Sequence, residues 1–247
     1  MSNVLAIARN ELRRIFVSPL AWAVLAVVQL ILGFVFINLL IDYSRNAELG
    51  DQFTGVADYM GGGLYGFATI LLLLVMPLMT MRLFSEERKS GTLTLLLSSP
   101  ASLIEIVLGK FLGLVGFMLV LVLLLALMPL SLLPGTPLDV GRIAAGLLGL
   151  FLMMLAFGAA GLFVSSLTRE PTIAAVGGFG LLLLVWLTQI LAYQDLPFAE
   201  VFGYLSLISH FDALRRGMFN TGDVVYYMIF TTFFLWLTVQ RLDLERN

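Results

Sequence analysis

The sequence predicts an all-α integral membrane protein with six transmembrane helices, and three observations carry that expectation. Hydrophobic residues make up 60% of the 247 and charged residues only 12%, about half the charged share of a soluble domain. Apolar runs at residues 20–41, 64–81, 106–133, 143–167, 172–192 and 224–240 are each long enough to cross most or all of a hydrocarbon core of roughly 30 Å as a helix. Lysine and arginine are unevenly shared between the segments that join these runs, as an oriented membrane protein requires. The whole chain, residues 1–247, reads as a single transmembrane domain.

Residues 3–18 place Val4, Leu5, Ala8, Leu12, Ile15 and Phe16 on one helical face and Arg9, Asn10, Arg13 and Arg14 elsewhere, the pattern of an interfacial helix. Pro19 ends it and the first span follows. That span is too long for the apolar core of a signal peptide and no small-x-small cleavage site follows it, so it is expected to be retained. Residues 42–63, with Asp42, Glu48, Asp51 and Asp58 and ending in Gly61-Gly62-Gly63, read as an external loop. The second span contains Pro77, which a transmembrane helix tolerates.

Residues 82–100 form the most charged stretch between two apolar runs, with Glu86, Glu87, Arg88 and Lys89 ahead of a Gly91-Thr92 step. Leu93, Leu96 and Leu97 then recur at helical spacing, which predicts a short amphipathic helix in water beside the membrane. The third span begins near Glu105 and Lys110, a lysine able to snorkel to the interface, and Pro134-Gly135-Thr136-Pro137 closes it as a turn. Thr168-Arg169-Glu170-Pro171 connects the fourth and fifth spans. Residues 193–223 are too mixed to cross a membrane and predict short external helices. Phe211, Leu214 and Met218 share one face there, Asp212, Arg215 and Arg216 lie off it, and Asp223 can cap the last span.

Six spans put both termini on one side. With a cytoplasmic N-terminus, ten of the fourteen basic residues lie inside and only Arg45, Arg142, Arg215 and Arg216 outside, which satisfies the positive-inside rule. The charged segment is then cytoplasmic, in a cell's inner membrane.

Several functions lack their chemistry. Away from their ends the spans carry no ionisable residue, whereas proton-coupled carriers and pumps need such groups within the membrane. Gln29, Asn38 and Gln189 there predict interhelical hydrogen bonds. The absence of cysteine excludes disulfides and thiolate chemistry, and no metal or cofactor site is expected. No phosphate-binding loop of the Gly-x-x-x-x-Gly-Lys-Ser/Thr type occurs, so ATP energy would have to come from another chain. The single histidine, His210, could form a hydrolytic set with Ser206, Ser209 and Asp212, although residues that close in sequence rarely reach triad geometry. Gly109-x-x-x-Gly113, Gly146-x-x-Gly149, Gly158-x-x-Gly161 and Gly177-Gly178 with Gly180 predict close helix packing.

Phe84-Ser85-Glu86-Glu87-Arg88-Lys89-Ser90-Gly91-Thr92-Leu93, with Leu96-Leu97 and Pro100, resembles the Glu-Arg/Lys-x-x-Gly-Thr segment between the second and third spans of ABC-2 type transporter permeases. The six-span order and the N-terminal helix fit the same family. The His210-Phe211-Asp212 to Arg216-Gly217 stretch, with Asp223 and Tyr226, is similar to its gliding-motility-associated branch, and more distantly to the nitrous-oxide-reductase maturation permeases. The resemblance implies a non-enzymatic permease subunit, paired with a second identical or different permease and with two copies of an ATPase subunit that binds ATP and magnesium. It implies that Glu86, Glu87, Arg88, Gly91 and Thr92 form a coupling helix against the ATPase, and that His210, Phe211, Asp212, Arg215 and Arg216 belong to external helices. The path would run between the two permeases, lined by spans one, two and five and suited to a lipid-like or hydrophobic substrate. The alternative is a membrane scaffold or force-transmitting assembly factor for a periplasmic partner. Membrane lipids are expected partners and nucleic acid is not.

Overall fold

The computed structural model describes residues 2–48, 55, 59–133, 138–192 and 203–246, and among these every regular element is helical. In chain order they are α1 (Ser2–Val17), α2 (Pro19–Glu48), a π-helical turn (Met60–Leu64) running into α3 (Tyr65–Thr80), α4 (Ser85–Ser90), α5 (Leu93–Leu97), α6 (Leu103–Leu130), α7 (Val140–Leu167), α8 (Pro171–Ala192), α9 (Leu207–Arg215) and α10 (Thr221–Arg246). Six helical stretches are long and apolar enough to span a membrane: α2, the stretch Met60–Ser90 (which holds α3), α6, α7, α8 and α10.

Local chemistry sets the boundaries. Ser18 and Pro19 sit where an N-cap and first helical residue belong, and the Ser18 hydroxyl accepts the N–H of Leu20 at 3.3 Å. Ser102 and Glu105 form a capping box at the start of α6. Asp139 accepts the N–H of Arg142 to open α7. The polar stretch read as a loop from residue 42 is helical as far as Glu48, because nothing in Asp42, Tyr43, Ser44 and Arg45 breaks the i to i−4 ladder that the span has already nucleated. At the far side of that connection the three glycines lie inside the π-helical turn rather than ending a loop. The rest of the loop (49–54 and 56–58), the turn at 134–137 and the stretch at 193–202 lie outside the described residues.

The bundle is organised around α7, which touches α3, α6, α8, α9 and α10. Two-thirds (67%) of its apolar window is buried, against 22% for α2 and 17% for α8, so those two present most of their surface outward. The glycine pairs account for the centre. A methyl group on Gly158 would lie 2.4 Å from the Met118 methyl, one on Gly161 2.2 Å from the Thr80 hydroxyl, and one on Gly146 2.4 Å from the Tyr65 ring. Gly149 faces Phe211 and Leu214 in the same way, whereas Gly180 has open space around it. Gln29 donates across helices to the Leu124 carbonyl at 3.1 Å, but Asn38 bonds Phe34 of its own helix.

Because the spans alternate in direction, α1, α4, α5, the 168–170 connection and the end of α10 share one end of the bundle, here the charged end. The π-helical turn, α9 and the start of α10 share the other, where Arg215 donates to the Gly62 carbonyl at 3.3 Å.

Candidate functional site

The charged segment is two short helices, not one. Gly91 adopts φ +74°, a left-handed conformation that closes α4 and that a side chain would strain, and α5 starts two residues later. Leu93 and Leu97 of α5 face inward as their spacing predicts, while Leu95 is exposed. The start of α4 has no cap of its own. Buried Ser165 of α7 caps it instead, its hydroxyl accepting the N–H groups of Phe84 (3.1 Å) and Ser85 (3.2 Å) and donating to the Met81 carbonyl (3.0 Å).

The five residues assigned to coupling divide by face. Glu86, Gly91 and Thr92 are exposed, whereas Glu87 and Arg88 turn into the protein. Glu87 meets Lys110 of α6 at 2.6 Å and Arg14 of α1 at 3.5 Å. Arg88 pairs with Glu245 near the end of α10, itself 3.1 Å from Arg241. Lys89 reaches Glu170 between α7 and α8 at 2.8 Å, in solvent. Ion pairs and the Ser165 cap thus tie α4 to α1, α6, α7, the α7–α8 connection and α10.

Lys110 is the centre of this network and overturns the snorkelling expectation, being only 2% exposed. Its three ammonium protons face the Glu87 carboxylate, the Leu83 carbonyl (2.8 Å) and the Glu11 carboxylate (3.4 Å), and the nitrogen lies 5.1 Å from the centre of the Phe84 ring. Arg14 completes the group at 2.9 Å from Glu11. Two cations and two carboxylates balance, which offsets the cost of holding Lys110 and Glu11 away from water.

Lys110 is sealed in because α1 lies directly on α6. Added methyl groups on Gly109, Gly113 and Gly116 would come within 2.7 Å of Ile7, 2.7 Å of Glu11 and 2.8 Å of Leu12. Without side chains at those points the helix backbones approach closely, and Glu11 is delivered over Lys110. Glu11 is the member of this network that the sequence reading missed. Its signal is an acid at i+4 from Ile7 and i−4 from Ile15, an ionisable residue in the middle of the inward stripe. The true inward face is Val4, Ile7, Ala8, Glu11 and Ile15, and Leu5, predicted to share it, is 64% exposed.

An open cavity of about 460 Å³ borders the network, walled by Ile15, Val17, Leu20, Met79 and Leu83 with Arg14, Arg82, Glu86 and Glu87 at its polar side.

At the opposite end the hydrolytic set does not assemble. Ser206 is buried and caps α9 by accepting the N–H of Ser209 at 3.3 Å, and Asp212 pairs with Arg215 at 2.6 Å. His210 takes Asp223 as its carboxylate, 2.6 Å from Nδ1, and donates through Nε2 to the Tyr204 carbonyl at 3.0 Å. Asp223 is therefore spent on the histidine rather than capping the last span. The imidazole stacks on Tyr226 at 4.1 Å, and Tyr226 and Tyr227 donate to the Leu205 and Leu207 carbonyls at 2.6 Å each. Phe211 and Leu214 are buried as their spacing predicts. Met218 is exposed, because Gly217 at φ +82° ends the helical path before it, and Arg216 is exposed as well.

Among the described residues no three of His, Asp, Glu or Cys converge as a metal site. At the charged end α4 has an ion pair or a hydrogen bond to each of four helices. The sequence model of a family described as ABC-2 family transporter protein matches residues 5–240. No curated protein matches the chain.

Proposed function

Because the chain belongs to the ABC-2 transporter family, whose members are membrane permease subunits that work with an ABC ATPase, we propose that it converts ATPase movement into movement of its spans through α4. Two ATPase copies, holding ATP and magnesium, would serve two permease chains. The reading is carried by the division of α4: Glu86, Gly91 and Thr92 face outward where a partner can meet them, while Glu87 and Arg88 hold α6, α1 and α10. The ten-to-four bias of basic residues supports a cytoplasmic position for that end, with both termini inside and the chain in an inner membrane. The outward apolar surfaces of α2 and α8 support a path or partner permease on that side and a lipid-like or hydrophobic substrate. The His210 and Asp223 region supports placement near the gliding-motility-associated branch.

A second reading, transmission of force to an external partner, is favoured by one observation. The far end is clasped by His210–Asp223 and the Tyr204, Tyr226 and Tyr227 contacts, which fasten α9 and the residues before it to the start of α10. Pull-down of the ATPase subunit by wild-type, Glu86→Lys and Lys110→Met chains at matched expression tests the main reading. Glu86→Lys should weaken ATPase capture, since a like charge placed in a contact costs several kcal/mol. Lys110→Met should retain capture yet lose permease-stimulated ATP hydrolysis. Undiminished capture and undiminished stimulation in both variants would remove the coupling role from this segment.

A further inference from the structure

Three arginines in one stretch of α1 have different fates. Arg14 turns inward to Glu11 and Glu87, whereas Arg9 and Arg13 are exposed and, among the described residues, neither makes an ion pair. One helical turn apart on the side of α1 that points away from α6, these two form an open surface patch of that helix with Ala6, Asn10, Leu12 and Phe16, of which Leu12 and Phe16 also touch α6 at Gly116 and Phe117. No acidic residue lies in the patch. Its apolar edge leads to the interface: Phe16 packs edge-on against Trp22 with ring centres 5.8 Å apart, and the Trp22 indole N–H bonds the Phe16 carbonyl at 2.8 Å. Trp22 is 60% exposed at the start of the first span, the level at which an amphipathic ring meets lipid headgroups.

We infer that the Arg9–Arg13 patch binds the headgroup of an anionic phospholipid, its phosphate lying between the two guanidinium groups and its acyl chains running down along the outer edges of Leu12 and Phe16. The charge is complementary, the patch is apolar where acyl chains leave the headgroup, and the opposite face of the helix is already occupied by α6. Since that same helix delivers Glu11 to Lys110, a captured lipid would hold α1 in the position that closes the charge network.

Native mass spectrometry of the full chain in detergent tests this, with dioleoyl phosphatidylglycerol and dioleoyl phosphatidylcholine as probes. The wild type should retain phosphatidylglycerol in preference to phosphatidylcholine. Arg9→Gln with Arg13→Gln should lower phosphatidylglycerol affinity roughly 30-fold and leave phosphatidylcholine unchanged, the effect of removing two arginines from an anionic surface. Arg9→Lys with Arg13→Lys should keep most of the preference. Both side chains are exposed, so an unchanged melting temperature will show the variants folded. Equal loss in a control carrying Arg216→Gln and Arg246→Gln would show diffuse charge attraction and overturn the site. So would displacement of phosphatidylglycerol by millimolar inorganic phosphate, which would show a simple anion site, or full retention by the Arg9→Gln, Arg13→Gln chain.

Discussion

The two ends of the bundle solve the burial of polar groups differently. At the charged end, Lys110, Glu11, Glu87 and Arg14 come from α1, α4 and α6 and neutralise one another, so no member can leave without stranding the rest. At the far end His210, Asp223, Tyr226 and Tyr227 fasten one short helix to the start of α10, mostly through hydrogen bonds to backbone carbonyls. The first arrangement links segments that are distant in sequence. The second stiffens a local hairpin. Losses at the charged end should therefore be larger and spread further than losses at the far end.

The largest expected effect is that of Lys110→Met. It leaves two carboxylates facing each other with only Arg14 between them, and breaking a buried pair from one side costs about 3–5 kcal/mol. A clear fall in thermal midpoint in detergent is expected, with most of it restored when Glu11→Gln and Glu87→Gln are added. A midpoint that stays at the wild-type value would mean that the network is not closed in the protein.

Next comes the fit of α1. Gly113→Val places a side chain where Glu11 and the Ala8 carbonyl already lie, within 2.7 and 3.0 Å of even its first carbon. Overpacking of this kind costs about 1–3 kcal/mol, and protease cleavage within α1 should rise while the six spans stay protected. If α1 stays as resistant as in the wild type, the close contact between the helices is absent.

At the far end, His210→Ala leaves Asp223 and the Tyr204 carbonyl without their partner, a loss of about 1–3 kcal/mol. Hydrogen exchange should quicken in residues 203–216 with no change in α4 or α6. Faster exchange at the charged end would erase the distinction between the two ends.

The smallest effect is reserved for Lys89→Ala. Its pair with Glu170 is more than half exposed on the lysine side, and such pairs contribute about 0–1 kcal/mol. Thermal midpoint and ATPase capture should both stay at wild-type values, and a large loss would move the weight of the coupling segment from its buried face to its surface.

The spans, the N-terminal helix and the inward Leu93 and Leu97 of α5 are legible in the sequence, because each is a local pattern of five to thirty residues. The coupling set is half legible. Its motif gathers the residues into one segment, but the inward turn of Glu87 and Arg88 follows from partners at Lys110 and Glu245 that no spacing announces. His210 stands out as the single histidine, yet its carboxylate partner does not. Asp212 lies nearby in sequence, whereas Asp223 is brought to the ring by the return of the chain into α10.

What the sequence alone determined is therefore the membrane class and the six helices, since a bilayer demands long apolar runs whose backbone hydrogen bonds close internally, and that demand is written residue by residue. Only the tertiary structure decided the fate of the charges. Whether Lys110 reaches water or stays in the protein depended on a carboxylate 99 positions away, carried by a helix that three glycines allow to come close. A long-range counter-charge changes the balance of burial without leaving any local periodicity to read.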